Sequence, residues 1–181
     1  MTTPNIEVYT GCMFSGKTRA IISRSQFFRE MGRSVTAIKP AKDTRHAEEC
    51  FVSHNGDKMQ AKRFSLDSKD MPEPADLLVI DEVQFVSQEL LQTWIFSGSF
   101  GYVLAAGLDL DWQGRPFGSM PWLLCVATDV VKLAATCNRC GKAATRSRLL
   151  DVTQAPTDGS VYIGGADRYE PNCVECFGAK K

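Results

Sequence analysis

Short apolar runs alternate with polar and amphipathic stretches along most of the chain. Each run is a few residues long and nearly continuous, which is typical of a parallel strand buried on both faces of a sheet. Four buried strands are therefore predicted, at Ile6–Thr10, Val35–Lys39, Leu77–Ile80 and Tyr102–Ala106.

Two helices are predicted between these strands. The stretch from Thr18 to Met31 carries apolar residues near helical spacing and is followed by Gly32, a residue that commonly ends a helix. Ser87 can cap a second helix that runs to about Phe96. Strands that alternate with helices predict an α/β fold, with a mostly parallel sheet covered by helices on both sides.

The pattern changes near Val131. From there the chain has few long apolar runs, several glycines and two closely spaced cysteine pairs. We therefore predict two domains, a core over residues 1–131 and a small second domain over residues 132–181.

Charge and composition exclude some classes of function. Lys plus Arg and Asp plus Glu number 21 each, so the net charge is zero, and no basic stripe indicates a nucleic-acid or membrane-surface binder. No apolar stretch is long enough to span a bilayer, and the residues from Met1 to Asn5 do not resemble a signal peptide. We expect a cytoplasmic protein.

The first predicted strand runs into the sequence GCMFSGKT, which matches the P-loop pattern GxxxxGKT. Glycines at both ends let backbone N–H groups turn inward around phosphate oxygens, at the positive end of the following helix. A chance glycine-rich turn is the alternative, but the strand before and the helix after favour a phosphate site. The predicted ATP-binding residues are Gly11, Cys12, Met13, Phe14, Ser15, Gly16, Lys17 and Thr18, with the Thr18 hydroxyl also a magnesium ligand.

The strand Leu77–Ile80 ends in two carboxylates, Asp81 and Glu82. An acidic residue at the end of such a strand lies close to bound phosphates, so Asp81 is predicted to hold magnesium, directly or through water, together with ATP. Glu82 has the chemistry to take a proton from an attacking hydroxyl. From position alone, a solvated or salt-bridged carboxylate is nearly as good an interpretation of Glu82.

Two CxxC units lie in the second predicted domain. Four thiolates in a tetrahedral array suit a closed, structural zinc site, which would also compensate for the small core of this segment. A redox-active CxxC, unconnected buried cysteines and iron–sulfur ligation are the alternatives. The predicted zinc ligands are Cys137, Cys140, Cys173 and Cys176.

These motifs and their order resemble the zinc-containing, type II thymidine kinases, along nearly the whole chain. The motifs are GCMFSGKT, KPAKDTR (39–45), SHNG (53–56), IDEVQF (80–85), GLDLDWQGRPFG (107–118), VKLAATCNRCG (131–141) and YIGGADRYEPNCVEC (162–176). The resemblance implies a P-loop, RecA-like core with a zinc-binding domain that carries a substrate lasso loop. It also implies transfer of the γ-phosphate of Mg²⁺-bound ATP to the 5′-hydroxyl of thymidine, and of deoxyuridine too, giving dTMP and ADP in nucleotide salvage. Members of the family are generally inhibited by dTTP and form homotetramers, so we expect both here.

The resemblance assigns roles around the phosphates. Glu82 becomes the expected general base, and Gln84 of the same motif joins the ATP-binding set. Asp43 and Arg45 match family positions near the phosphates and their metal, where Arg45 would neutralise the charge developing on the transferring phosphoryl group.

The resemblance also implies a nucleoside site. Five side chains match positions around the nucleoside: Met13, Phe85, Trp112, Phe117 and Tyr169. The lasso loop would grip the base largely through the backbone of Ser160, Val161, Tyr162, Ile163 and Gly164. Trp112 departs from the smaller aromatic expected there. Against the thymine methyl group the family has a threonine, for which Ser147 and Thr145 are the two candidates in this chain.

Two other classes of protein combine a P-loop with a zinc site. A P-loop ATPase with a zinc ribbon acting on nucleic acid is opposed by the neutral composition and the short chain. A non-enzymatic, zinc-dependent interaction module is opposed by the intact set of Lys17, Thr18, Asp81 and Glu82. We therefore expect a kinase that acts on neither nucleic acid nor membranes.

Overall fold

A computed structural model of the protein describes residues 3–40, 50–52, 56–65, 71–154 and 164–178. Within these residues one sheet has six strands, and every neighbouring pair in it is parallel. In order across the sheet the strands are β5 (Lys62–Phe64), β2 (Val35–Pro40), β6 (Leu77–Ile80), β7 (Tyr102–Gly107), β1 (Asn5–Thr10) and β8 (Asp129–Lys132).

Helices cover both faces of this sheet. Alternate residues of one strand point to opposite faces, so Leu77 and Val79 belong to one buried cluster, and Leu78 and Ile80 to the other. The first face packs against α1 (Lys17–Glu30), and the second packs against α2 (Gln88–Ile95) and α3 (Met120–Val126). All four residues of β6 are buried, which explains the continuous apolar run in the sequence.

The cysteine pairs lie on short antiparallel elements outside the main sheet. The first pair lies in the turn between β9 (Ala135–Thr136) and β10 (Ala143–Ala144). The second pair follows β12 (Tyr169–Asn172), which is paired with β11 (Arg146–Leu149), and its last cysteine lies in α4 (Val174–Gly178). A further hairpin joins β3 (Cys50–Val52) to β4 (Lys58–Gln60), and two 3₁₀ turns span Val83–Phe85 and Val152–Gln154.

The predicted fold class is confirmed. The four predicted strands and two predicted helices are all present, and the mostly parallel sheet with a cysteine-bearing segment fits an α/β core with a zinc-binding domain. No helix among the described residues is long and apolar enough to cross a membrane. The division into two domains stays a prediction.

The sequence predicted neither edge strand of the main sheet, β5 or β8, nor helix α3. Strand β8 is at the sheet edge and mostly exposed, so it lacks a continuous apolar run. Strand β8 ends at Lys132, so the predicted domain boundary after residue 131 falls inside β8. Helix α3 is only seven residues long and apolar almost throughout, so it shows no helical period.

Ser87 begins α2 as the sequence predicts, since its side chain accepts a hydrogen bond from the Leu90 N–H at 3.2 Å. Ser87→Ala removes this acceptor, so the free energy of unfolding in a urea titration should fall by about 1 kcal/mol. Ser87→Asp keeps an acceptor at the helix start and should retain most of the stability. Equal losses in both variants would contradict a capping role.

Candidate active site

The carboxyl ends of three adjacent strands meet at one edge of the sheet. Strand β1 continues into the P-loop, β6 into Asp81 and Glu82, and β7 into Leu108. In open parallel sheets, ligands bind at this edge. The sheet therefore brings the contiguous P-loop close to Asp81 and Gln84, which are far from it in the sequence.

The P-loop turns sharply as it leaves β1. Gly11 has a φ of 142° and Gly16 a φ of 86°, values that L side chains rarely adopt. A Cβ on Gly11 would lie 2.2 Å from the Leu133 carbonyl oxygen, so no larger residue fits there. Lys17 begins α1 as a buried residue, and its Nζ donates to the Cys12 carbonyl at 2.7 Å.

Ser15 contributes a hydroxyl group to the P-loop. Its Oγ is buried and makes no hydrogen bond within the described part of the chain. The same Oγ would lie 3.1 Å from a Cβ on Gly11, so it is directed into the loop. Buried polar groups are almost always satisfied, and a phosphate oxygen in the loop would provide the missing partner.

Thr18 and Asp81 lie together, as a magnesium site requires. The Thr18 hydroxyl donates to Asp81 Oδ2 at 2.9 Å, and Asp81 is buried. Burial, followed by the charge of Glu82, raises the pKa of Asp81 to about 7. A divalent cation reverses this effect, and hydroxyl and carboxylate oxygens are ligands that Mg²⁺ prefers. The two residues fit the metal that accompanies a nucleotide.

Glu82 is held in an unusual backbone conformation. Its φ is 52°, in the left-handed region that few residues other than glycine adopt and that is concentrated at functional sites. Its N–H donates to Asp81 Oδ1 at 2.9 Å. Its Oε2 accepts from Gln84 Nε2 at 2.6 Å, so the carboxylate is oriented by a neighbouring amide.

Gln84 connects Glu82 to the loop after β7. The amide oxygen of this buried residue accepts from the Leu108 N–H at 3.1 Å. A Cβ on Gly107 would lie 2.7 Å from the same oxygen. Gly118 approaches the backbone of Gln84 more closely still, since a Cβ there would lie 2.0 Å from the Gln84 carbonyl oxygen. The two glycines make room for the residue that orients Glu82.

An apolar cluster lies beside the P-loop. Its buried members are Met13, Leu149 and Tyr169, and the half-buried Phe14, Leu108 and Trp112 pack against them. The structure thus brings together three of the predicted nucleoside residues: Met13, Trp112 and Tyr169. Leu108 and Leu149 were not predicted. Leu108 lies within a quoted motif, whereas nothing in the local sequence marks Leu149.

The other two predicted aromatic residues form a separate pair. The rings of Phe85 and Phe117 meet edge to face with centroids 5.6 Å apart. Phe117 lies in the loop that follows β7, and its N–H donates to the Asp109 carbonyl at 3.1 Å. The buried Asp109 carboxylate pairs with Lys132 at 2.8 Å, which ties this loop to the end of β8.

Ser147 and Thr145 differ in their surroundings. Ser147 is buried, and its Oγ accepts from the Met13 N–H at 2.9 Å. Thr145 Oγ1 instead accepts from the guanidinium of Arg146 at 3.1 Å. Ser147 is therefore the candidate that contacts the P-loop and lies next to a predicted nucleoside residue.

Several predicted residues lie outside the described part of the chain: Asp43, Arg45, Ser160, Val161, Tyr162 and Ile163. Gly164 is described and half-buried. It lies just before a turn in which the N–H groups of Arg168 and Tyr169 both donate to the Gly165 carbonyl. The roles of these residues stay predictions.

The four cysteines of the CxxC units converge. Their Sγ atoms all lie within 4.8 Å of one another, and those of Cys140 and Cys173 are 3.5 Å apart. Four Zn–S bonds of about 2.3 Å in a tetrahedron place the sulfurs about 3.8 Å apart, so the cluster is close to the size that zinc requires. Hydrogen bonds with the Cys140 and Cys173 thiols raise the pKa of Cys176 to about 12. Four thiols this close together cannot all lose their protons unless a cation balances the negative charge. The donor set fits zinc.

A comparison with protein families is consistent with this geometry. The family model described as thymidine kinase matches residues 4–177. The match contains the P-loop, both carboxylates after β6, the loop after β7 and all four clustered cysteines.

The cysteine cluster predicts one zinc per chain by elemental analysis of the purified protein. Cys173→Ser replaces a thiolate by a hydroxyl, a much poorer zinc ligand, so its zinc content should fall well below one per chain. Cys125→Ser is the matched control, because Cys125 is exposed and outside the cluster. Iron instead of zinc, or full zinc content in Cys173→Ser, would contradict the assignment.

Proposed function

Because the chain belongs to the thymidine kinase family, we propose that it transfers the γ-phosphate of ATP to the 5′-hydroxyl of thymidine. The products are dTMP and ADP, and deoxyuridine is a second acceptor. One observation carries the proposal: the P-loop, the Thr18–Asp81 pair and Glu82 meet at one sheet edge, beside an apolar cluster that can accept a nucleobase.

The phosphates of ATP bind to the P-loop. Backbone N–H groups and the Ser15 hydroxyl donate to the phosphate oxygens, and Lys17 supplies a positive charge to the β- and γ-phosphates. Asp43, Arg45 and Gln84 complete this side of the site. Magnesium held by Thr18 and Asp81 would neutralise phosphate charge when bound.

Glu82 acts on the nucleoside. Its carboxylate takes the proton of the 5′-hydroxyl as the O5′–Pγ bond forms and the bond from Pγ to the β-phosphate oxygen breaks, so ADP leaves. The hydrogen bond from Gln84 Nε2 to Glu82 Oε2 supports this role because it fixes the orientation of the carboxylate. A preset base geometry lowers the cost of reaching the transition state.

The apolar residues form the nucleoside site. Met13, Trp112 and Tyr169 provide walls for the base, and Phe85 with Phe117 provides an aromatic edge. The backbone of residues 160–164 holds the polar edge of the base, and Ser147 lies towards the 5-methyl group. Zinc at the four cysteines is structural, because four protein ligands leave no open position for a reacting group.

Membership of the family also supports a wider description. We propose that dTTP inhibits the enzyme, that it assembles as a homotetramer, and that it works in nucleotide salvage in the cytoplasm. No membrane or nucleic acid takes part.

The reaction can be tested by ADP release from Mg²⁺-ATP in the presence of individual deoxynucleosides. Thymidine and deoxyuridine should stimulate release, while purine deoxynucleosides should not. Lys17→Ala should lower the thymidine-dependent rate by about 10²–10³-fold, because it removes charge stabilisation of the transferring group. Release stimulated by DNA and indifferent to nucleosides would contradict the proposal.

Glu82 can be tested by Glu82→Gln, which keeps the size of the side chain but cannot accept the proton. The turnover number should fall by about 10²–10⁴-fold. Apparent affinities for ATP and thymidine should change little, since binding does not use the proton transfer. Glu89→Gln, on the exposed surface of α2, is the matched control and should keep full turnover.

Turnover of Glu82→Gln within a few-fold of the wild-type value would exclude Glu82 as the base. Asp43 would then be the next carboxylate to test.

A further inference from the structure

The segment that carries the four cysteines contacts the P-loop directly. Cys12 Sγ donates to the Ala144 carbonyl of β10 at 3.2 Å. The next residue, Met13, donates its N–H to Ser147 Oγ of β11 at 2.9 Å. Cys12, Met13, Ala144 and Ser147 are all buried, so water cannot replace these hydrogen bonds without rearrangement.

These contacts extend to the phosphate-binding lysine. Lys17 Nζ donates to the carbonyl of Cys12, the residue whose thiol is bonded to β10. A displacement of Cys12 would therefore move the hydrogen-bond acceptor of Lys17. The Met13 N–H donates to Ser147 Oγ, so this second hydrogen bond holds the turn at the residue after Cys12.

The same contacts extend to the cysteines on the other side. Cys12 packs in one buried cluster with Cys137, Cys173 and Ala144. Ser147 is paired with Pro171 of β12, two residues before Cys173. Strand β12, which leads into the second cysteine pair, is thus paired with β11, whose Ser147 accepts the hydrogen bond from Met13.

We propose that Cys12 and Ser147 are positioning residues through which the zinc-bearing segment sets the conformation of the P-loop, so that zinc occupancy controls the affinity for the phosphate donor. The inference deepens the proposed function and rests on it for the identity of that donor. The zinc site then has a second role, in addition to stabilising the segment that contributes to the nucleoside site.

The physical reason is preorganisation. A P-loop binds phosphate through several N–H groups at once, so its affinity scales with the fraction of molecules in which they already point inward. Buried hydrogen bonds from a metal-stabilised segment raise that fraction before the ligand arrives. Without them, part of the binding free energy is spent on ordering the loop.

The first test compares Ser147→Ala with Ser147→Thr in zinc-loaded protein. The dissociation constant for Mg²⁺-ATP is measured without nucleoside, together with zinc content and the amide hydrogen exchange of the peptide containing residues 11–18. Ser147→Ala should raise the dissociation constant about fivefold, the effect of one lost hydrogen bond, and speed exchange in this peptide. Ser147→Thr keeps a hydroxyl and should restore both values, with one zinc per chain throughout.

Cys12→Ala should weaken ATP binding in the same way, because it removes the donor to Ala144. Cys125→Ser is the matched control for loss of a thiol and should bind ATP as the wild type does, since Cys125 is exposed on α3. A general loss of stability would lower the melting temperature of a variant. It would leave the ATP affinity unchanged at temperatures well below that melting temperature.

The second test removes zinc with a chelator from the wild type and from Ser147→Ala. Zinc removal should weaken ATP binding in the wild type and weaken it less in the variant, because both changes break the same connection. The inference would be overturned if zinc removal changed the dissociation constant for ATP by the same factor in both proteins. It would also be overturned if this constant were unchanged in both zinc-free wild type and zinc-loaded Ser147→Ala. If the zinc-free chain unfolds, the comparison of zinc-loaded wild type, Ser147→Ala and Ser147→Thr tests the inference by itself.

Failure of zinc-loaded wild type to bind ATP at all would overturn the proposed function, and this inference with it. ATP binding that responds to neither zinc nor Ser147 would overturn only the inference. The two failures are therefore distinguishable in one set of titrations.

Discussion

The position of β1 between two parallel neighbours is the constraint on which the site depends. It pairs with β7 from Asn5 opposite Tyr102 to Thr10 opposite Gly107, and with β8 over Glu7–Thr10. The chain segments that leave β7 and β8 must therefore emerge on either side of the P-loop. The segment after β7 is the loop of residues 108–119, called the aromatic loop because it contains Trp112 and Phe117. The segment after β8 leads through Leu133 into the cysteine-bearing segment.

Close approach at glycines makes this arrangement possible. The Leu133 N–H donates to the Thr10 carbonyl at 2.8 Å, and the Leu133 carbonyl lies over Gly11 where a side chain would otherwise be. Gly107 and Gly118 leave similar room for Gln84, whose amide orients the Glu82 carboxylate. The left-handed conformation of Glu82 is tolerated because hydrogen bonds to Asp81 and Gln84 hold it there.

The cysteine-bearing segment has too little apolar surface to form a substantial core. Its described residues contribute to two small clusters, one around Cys12, Cys137 and Cys173 and one around Met13, Leu149 and Tyr169. A metal bound by the four clustered cysteines would supply the cohesion that such a segment lacks. Both clusters contain a P-loop residue, and α4 reaches the aromatic loop, since a Cβ on Gly114 would contact the Phe177 ring at 3.4 Å. The cysteine-bearing segment and the candidate site therefore share their packing contacts.

Local features of the sequence determined much of the molecule. The P-loop, the buried strands, the Ser87 cap and the CxxC pairs rest on turn chemistry, apolar runs and short-range hydrogen bonds, which neighbouring residues specify by themselves. Family motifs extended the prediction to Glu82, Gln84 and the aromatic residues. Tertiary structure alone decided that β8 pairs with β1, that Leu149 joins Met13, and that Ser147 bonds to the P-loop. These contacts join segments more than a hundred residues apart, as in the separation of 134 between Met13 and Ser147. Such pairings arise from the packing of whole elements, and no local pattern encodes them.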